Sequence, residues 1–250
     1  MAELAVFIFG LIFGSFANVI VLRLNTGESL IFGGSRCFFC GHRLKPFELV
    51  PVLSFFVLGG RCGECGAKIS WQYPLVELSS AFLFLFIYVF GQNGQHSVPA
   101  VILPVVFFWL LLVISVYDLR HKIIPDSLAY SAIAVSVLFR FFDFGWSHFL
   151  TGLGLFVFFA FLWLVSSGRW MGFGDAKLAL AVGLFLGWPA GLVAFFISFW
   201  LGAAAGIAYL LLSKSGSLKA QIPFAPFLFL GGLTAFLWGG FLISWYFSLL

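Results

Sequence analysis

The sequence predicts an all-α polytopic membrane protein of about eight transmembrane helices, with a small cytoplasmic loop domain between the first helix and the rest. Three observations carry that reading. Hydrophobic residues make up 62% of the chain, with 9% charged, whereas soluble domains carry about 25% charged residues. With a mean hydropathy of +1.12, the chain cannot supply a water-exposed surface. The apolar residues fall into runs of about 20, the length that crosses a bilayer as helix. The basic residues gather on one side of those runs, which orients them.

Residues 2–22 form the first run, interrupted only by Glu3 and Asn18. It lacks the basic start and the cleavage context of a signal peptide, so it reads as a transmembrane helix. Asn18 is expected to hydrogen-bond to a neighbouring helix. Residues 23–72 are polar and hold all four cysteines. Further spans read as 73–91, 99–118, 127–144, 148–167, 176–188, 190–212 and 224–250. The organisation is therefore a first helix (1–22), a cysteine loop (23–72) and a seven-helix core (73–250).

With this layout Arg23, Arg36, Arg43, Lys45, Arg61 and Lys68 share a face with Arg120, Lys122, Arg169, Lys177, Lys214 and Lys219. Arg140 alone lies opposite. The shared face should be cytoplasmic, with both termini outside. Topology thus accounts for the net charge of +4, and membrane lipid rather than nucleic acid is the expected surroundings.

Cys37-Phe-Phe-Cys40-Gly-His-Arg-Leu and Cys62-Gly-Glu-Cys65-Gly-Ala-Lys-Ile repeat one pattern. Each C-x-x-C turn aims two thiolates at one point, and two such turns supply four sulfurs for tetrahedral zinc. Disulfide pairing and a redox C-x-x-C are the alternatives. A reducing cytoplasm weighs against the first and the duplication against the second. A segment this short buries little core, so structural zinc at Cys37, Cys40, Cys62 and Cys65 would staple it. His42 reads as a solvated loop residue rather than a ligand, and Glu48 as solvated or interfacial.

Acidic residues are few, and those next to apolar runs ask for a reason. Asp118 ends the run 105–116, and Asp175 opens the run that begins at Leu178, in Met171-Gly-Phe-Gly-Asp-Ala-Lys-Leu178. Both should lie at the cytoplasmic ends of their helices, at similar depth. Two adjacent carboxylates share a proton, so one can act as base while the other acts as acid. The plainer alternative makes Asp175 a helix cap and pairs Asp118 with Arg120 or Lys122. Asp126 reads as the N-cap of the fourth helix, and Glu77 as an acid facing protein rather than lipid. Gly172 and Gly174 would let a substrate backbone approach, and Lys177 reads as an interfacial anchor or a substrate-orienting cation. The four histidines, at 42, 96, 121 and 148, show no nucleophile context.

In order and spacing, these motifs resemble those of the bacterial type IV prepilin peptidases. The resemblance runs through Gly14-Ser-Phe-Ala-Asn-Val-Ile, the paired cysteine turns with Pro51-Val-Leu-Ser54 between them, and Ile69-Ser-Trp-Gln-Tyr-Pro-Leu-Val-Glu77. It continues through Asp118 to Asp126, Gly172-Phe-Gly-Asp-Ala-Lys-Leu178 and Ile222-Pro-Phe-Ala-Pro-Phe-Leu228. The Gly-x-Gly-Asp element is also similar to that of presenilin-type intramembrane proteases.

The resemblance implies a membrane aspartic endopeptidase of the bacterial inner membrane, with Asp118 and Asp175 catalytic. It implies prepilin and secretion pseudopilin substrates, whose basic leaders are cut after Gly at the cytoplasmic face. It further implies N-methylation of the new terminus, usually Phe, from S-adenosylmethionine, with the cysteine loop belonging to members that have this second activity. Two departures stand out: Cys37-Phe-Phe-Cys40 replaces C-P-x-C, and Glu48-Leu-Val-Pro51 replaces E-N-I-P, a change bearing on methyl transfer rather than cleavage. No G-x-G-x-x-G after a strand marks a soluble-type donor site. The rival class is a proton- or ion-coupled transporter with Asp118 and Asp175 as a relay, which predicts acids near the bilayer midplane. A non-catalytic zinc-loop scaffold would leave the Gly-x-Gly-Asp element unexplained.

Overall fold

The computed structural model describes residues 1–90, 98–141, 145–212 and 222–248. Helices dominate, and among the described residues pairing of β type is confined to two isolated bridges. The chain divides into two compact units, Met1–Val89 and Phe90–Leu250.

The first unit contains α1 (Ala2–Arg23), a 3-10 turn (Pro46–Leu49), the short α2 (Leu53–Val57) and α3 (Gln72–Phe90). Helices α1 and α3 run antiparallel in close contact. A Cβ on Gly14 would fall 2.5 Å from the Glu77 Cα, so only glycine admits this approach, the small-residue packing typical of membrane helices. Asn18 sits beside it, 2% exposed. Its amide donates to the carbonyls of Gly14 and Tyr73, both at 3.3 Å, and its oxygen accepts from Gln72 Nε2. It is the interhelical hydrogen-bonding residue the sequence predicts.

The second unit contains α4 (Val98–His121), α5 (Asp126–Phe139), α6 (Trp146–Ser166), α7 (Phe173–Leu186), α8 (Ala190–Leu212) and α9 (Ala225–Ser248). Among the described residues six helices are long and apolar enough to cross a membrane: α1, α3, α4 from Pro99, α6, α8 and α9. The chain is a multi-pass membrane protein. The expected eight spans correspond to eight long helices, but α5 and α7 have 14 residues each. At 1.5 Å per residue they reach about 21 Å, short of a hydrocarbon core about 30 Å thick.

Helix α7 is the centre of this unit. Ten of its residues are buried, and it packs against α5, α6, α8 and α9. A helix apolar on every side belongs inside. Phe185 anchors its far end, stacked on Phe107 of α4 at 4.1 Å and Phe139 of α5 at 4.6 Å, with Phe236 of α9 at 5.9 Å. Arg140 donates from Nε and Nη2 to the Phe185 carbonyl at 3.1 and 2.9 Å. That explains the one basic residue on the opposite face: it caps the C-terminal end of α7, where a cation is favoured. Lys214, Lys219 and His96 lie outside the described residues.

Replacing Gly14 with Val should push α1 from α3 and destabilise the protein by about 1–3 kcal/mol, the usual range for overpacking. Thermal unfolding in detergent would show a lowered Tm. Gly154→Ala, whose Cβ would meet nothing within 4 Å, should leave Tm unchanged.

Candidate active site and metal centre

Asp118 lies in the last turn of α4 and Asp175 in the first turn of α7, 6% and 7% exposed. Each carboxylate is met by a backbone amide at the start of a helix. Ala225 N–H, opening α9, donates to Asp118 Oδ2 at 3.3 Å. Gly172 N–H donates to Asp175 Oδ2 at 3.1 Å. The first amides of a helix have no partner within it and favour negative charge. Both acids thus lie buried at helix ends of the same unit, each held by a backbone amide. The capping role considered for Asp175 is therefore real: its carboxylate accepts the amide of Gly172, the N-cap of α7. The donor to Asp118 comes from the start of α9, 107 positions along the chain.

The connection between α4 and α5 sets the position of α7. Lys122 takes a positive φ of 56°, turning the chain so that Ile124 packs on Gly174. A Cβ on Gly174 would lie 2.7 Å from the Ile124 Cβ, so Gly174 admits a close approach here, beside Gly172 as the N-cap of α7. Lys177 Nζ reaches Asp126 Oδ1 at 2.7 Å, over the rings of Tyr130 and Phe173 at 4.9 and 5.3 Å. This corrects the reading of Asp126 as the N-cap of α5. The cap position falls on Pro125, without a side-chain cap bond, and the Asp126 carboxylate ties the start of α5 to α7.

The donor to Asp118 was not foreseen. Ile222-Pro-Phe-Ala-Pro-Phe-Leu228 stands out as a motif, but its role is visible only in the fold. Pro226 follows Ala225 and has no N–H, so the turn presents the Ala225 amide.

The four cysteine sulfurs lie within 4.8 Å of one another, and all four are free of disulfides. Tetrahedral zinc with Zn–S of about 2.3 Å needs sulfurs about 3.8 Å apart, and Cys37 and Cys65 are separated by 3.8 Å. The two turns match in detail. Cys37 and Cys62 donate to the carbonyls of His42 and Ala67, and accept from Gly41 and Gly66. Those glycines have φ of +72° and +70°, a conformation that side chains disfavour. Arg36 pairs with Arg43 and Arg61 with Lys68 as short bridges. The amides of Cys40 and then Phe39 lower the Cys37 thiol to about 6, while burial and then the sulfur of Cys65 push Cys40 up to about 12, so the close sulfurs titrate together. The cluster can hold a zinc ion.

Glu48 and His42 depart from their expected solvated state. The Glu48 side chain is 5% exposed and 3.5 Å from His42 Nε2, while His42 Nδ1 is 3.9 Å from Glu64. Glu48 accepts from Lys45 N–H at 2.7 Å, and this amide, followed by His42, holds its carboxyl below the usual range. Its Oε1 also lies against Gly63 of the second turn. Glu48 thus braces one cysteine turn against the other. Glu77, 6% exposed, faces protein as expected and accepts from Val52 N–H at 2.7 Å.

A helical membrane bundle with two buried carboxylates at helix ends, together with four cysteines clustered closely enough to hold a metal ion, narrows the class. Comparison with known proteins makes it particular. The profile of the bacterial peptidase A24 N-terminal domain matches residues 8–90, and that of the type IV leader peptidase family matches residues 105–207. The chain belongs to the type IV leader peptidase family. It is 35% identical over 243 residues to a protein of Bacillus subtilis, covering 96% of each chain. It is 32% identical to one of Aeromonas hydrophila, covering 96% of this chain and 92% of the relative. A Pseudomonas aeruginosa protein is 30% identical, with 94% and 90% covered. Each of the three is called a prepilin leader peptidase/N-methyltransferase. No solved structure matches the chain.

Metal analysis of the purified protein should find one zinc per chain. Cys62→Ser, which removes the one buried sulfur, should bring that content close to zero and leave the segment between α1 and α3 open to protease.

Proposed function

We propose that this protein is a membrane aspartic endopeptidase that removes the basic leader of prepilins and pseudopilins, and then N-methylates the new N-terminus. The observation that carries the reading is Asp118 and Asp175, both buried at helix ends of one unit, in a chain related over nearly its whole length to prepilin leader peptidases. The positive-inside pattern supports a bacterial inner membrane location with these ends facing the cytoplasm.

One carboxyl of the pair is ionised and takes a proton from the attacking water. The other is neutral and donates a hydrogen bond to the carbonyl of the scissile peptide, after Gly and before the first residue of the mature protein. The tetrahedral intermediate then collapses, its nitrogen takes a proton, and leader and mature chain separate. The pair titrates as a unit, so neither residue owns one role. The amides of Ala225 and Gly172 hold the carboxylates in place during this exchange. Gly172 lies beside Asp175 and offers a substrate backbone little steric opposition, whereas Gly174 contributes through the close packing of Ile124 that sets the start of α7. Lys177, held by Asp126, supports the start of α7 and contributes to substrate placement through it.

S-adenosylmethionine supplies the methyl group to the freed amine. Cys37, Cys40, Cys62 and Cys65 hold zinc as a structural ion. The family match gives the transporter reading no support.

The test is mass spectrometry of a purified prepilin incubated with the protein in detergent, with and without S-adenosylmethionine. Loss of the leader, followed by the mass of one CH₂ only with the donor, is the expected result. Asp118→Asn and Asp175→Asn should each lower cleavage by at least about 10²–10⁴-fold, the usual range for lost acid–base catalysis. Cys62→Ser should reduce methylation more than cleavage. Equal cleavage by wild type and Asp175→Asn would overturn the assignment.

A further inference from the structure

The segment between the cysteine turns contains a strained turn that the reaction does not explain. Val52 has φ 63° and ψ −52°, and Leu53 N–H donates to the Pro51 carbonyl at 2.6 Å. This is a γ-turn of the rare positive-φ form, in a β-branched residue for which positive φ is a genuine outlier. Its effect is to aim Val52 N–H at Glu77 Oε2, 2.7 Å away.

Glu77 tells how deep that turn lies. Helix α3 has 19 residues from Gln72 to Phe90, about 28 Å at 1.5 Å per residue, and a bilayer core is about 30 Å thick. The helix therefore needs its whole length to cross. Glu77 stands five residues inside, about 7–8 Å along the axis. Asn18, level with Gln72 and Tyr73, shows that α1 continues past this point to Arg23. A non-helical amide at membrane depth must be satisfied by protein, which Glu77 does.

Helix α2 starts from this turn with its apolar side chains outward. Leu53 is 64% exposed, Phe56 59%, Val57 85% and the nearby Trp71 61%. Phe55 alone turns inward and packs on Trp71 at 4.8 Å. Lys45 before α2 and Arg61 and Lys68 after it belong to the same loop, suited to anionic headgroups. We propose that α2 and its γ-turn form a membrane-dipping element: Glu77 holds the turn inside the bilayer boundary, and Leu53, Phe56 and Val57 insert among phospholipid acyl chains. The partner of this exposed face is lipid, and the metal-binding loop is moored at the membrane between its two cysteine turns.

A photoreactive benzophenone amino acid in place of Val57, or of Leu53 in a second variant, tests this in the full zinc-loaded chain. The protein is reconstituted into vesicles of phosphatidylethanolamine and phosphatidylglycerol, irradiated and analysed by mass spectrometry. The same probe in place of Glu64, an exposed residue of the second cysteine turn, is the reference. The expected result is phospholipid adducts at 53 and 57 several-fold above those at 64. Adducts to polypeptide alone, or lipid adducts no greater than at 64, would overturn the proposal. In a second arm, Glu77→Leu in the position-57 variant should lower the lipid adduct while Glu77→Gln, which keeps an acceptor, preserves it. Zinc content confirms that the loop is folded, and an undiminished adduct in folded Glu77→Leu would overturn the anchoring role.

Discussion

Keeping two carboxylates inside an apolar helix bundle is the constraint on which this structure turns. A buried charge must find donors or give up its ionisation. The fold supplies donors from its own backbone. Asp118 ends one helix where α9 begins, and Asp175 begins another beside its own N-cap, so unpaired amides of helix starts reach both. The carboxylates can lie together only because α7 is held in the middle of its unit. Its start is set by Ile124 on Gly174 and by the Lys177–Asp126 tie. Its far end is set by the stack around Phe185 and by Arg140.

The first unit meets a different shortage. Its loop is too short for a core of its own, and its stability rests on four sulfurs converging on one point. Glu48 completes the arrangement by bracing the turns, bonded to the Lys45 amide and set against His42 and Gly63. Carboxylates in both units thus work through backbone amides. At Asp118 and Asp175 the amides fix acids at helix ends; at Glu48 and Glu77 they order a loop.

The departures from the expected layout share a cause. Helices α5 and α7 are apolar enough to be read as spans, yet stop at 14 residues, because packing among other helices removes any need to reach both bilayer faces. Asp126 reads locally as a cap, but Lys177, 51 positions away, offers a charge-assisted bond at 2.7 Å, stronger than a neutral cap bond. His42 and Glu48 read as solvated polar residues of a loop. They are enclosed because folding of the cysteine turns brings Glu64 and Gly63 beside them.

By itself the sequence determined the membrane character, the positions of the long apolar helices, the four metal-ligating cysteines and the two aspartates. These are local signals: a hydrophobic run, a repeated C-x-x-C, or an acid where apolar residues surround it announces itself within a few residues. Only the tertiary structure decided what each acid is bonded to. The partners of Asp118, Asp175, Glu48 and Glu77 are the amides of Ala225, Gly172, Lys45 and Val52. Nearly every residue carries such an amide, so the amide itself leaves no mark in the sequence. Which one is free and within reach depends on where helices start and how closely they pack.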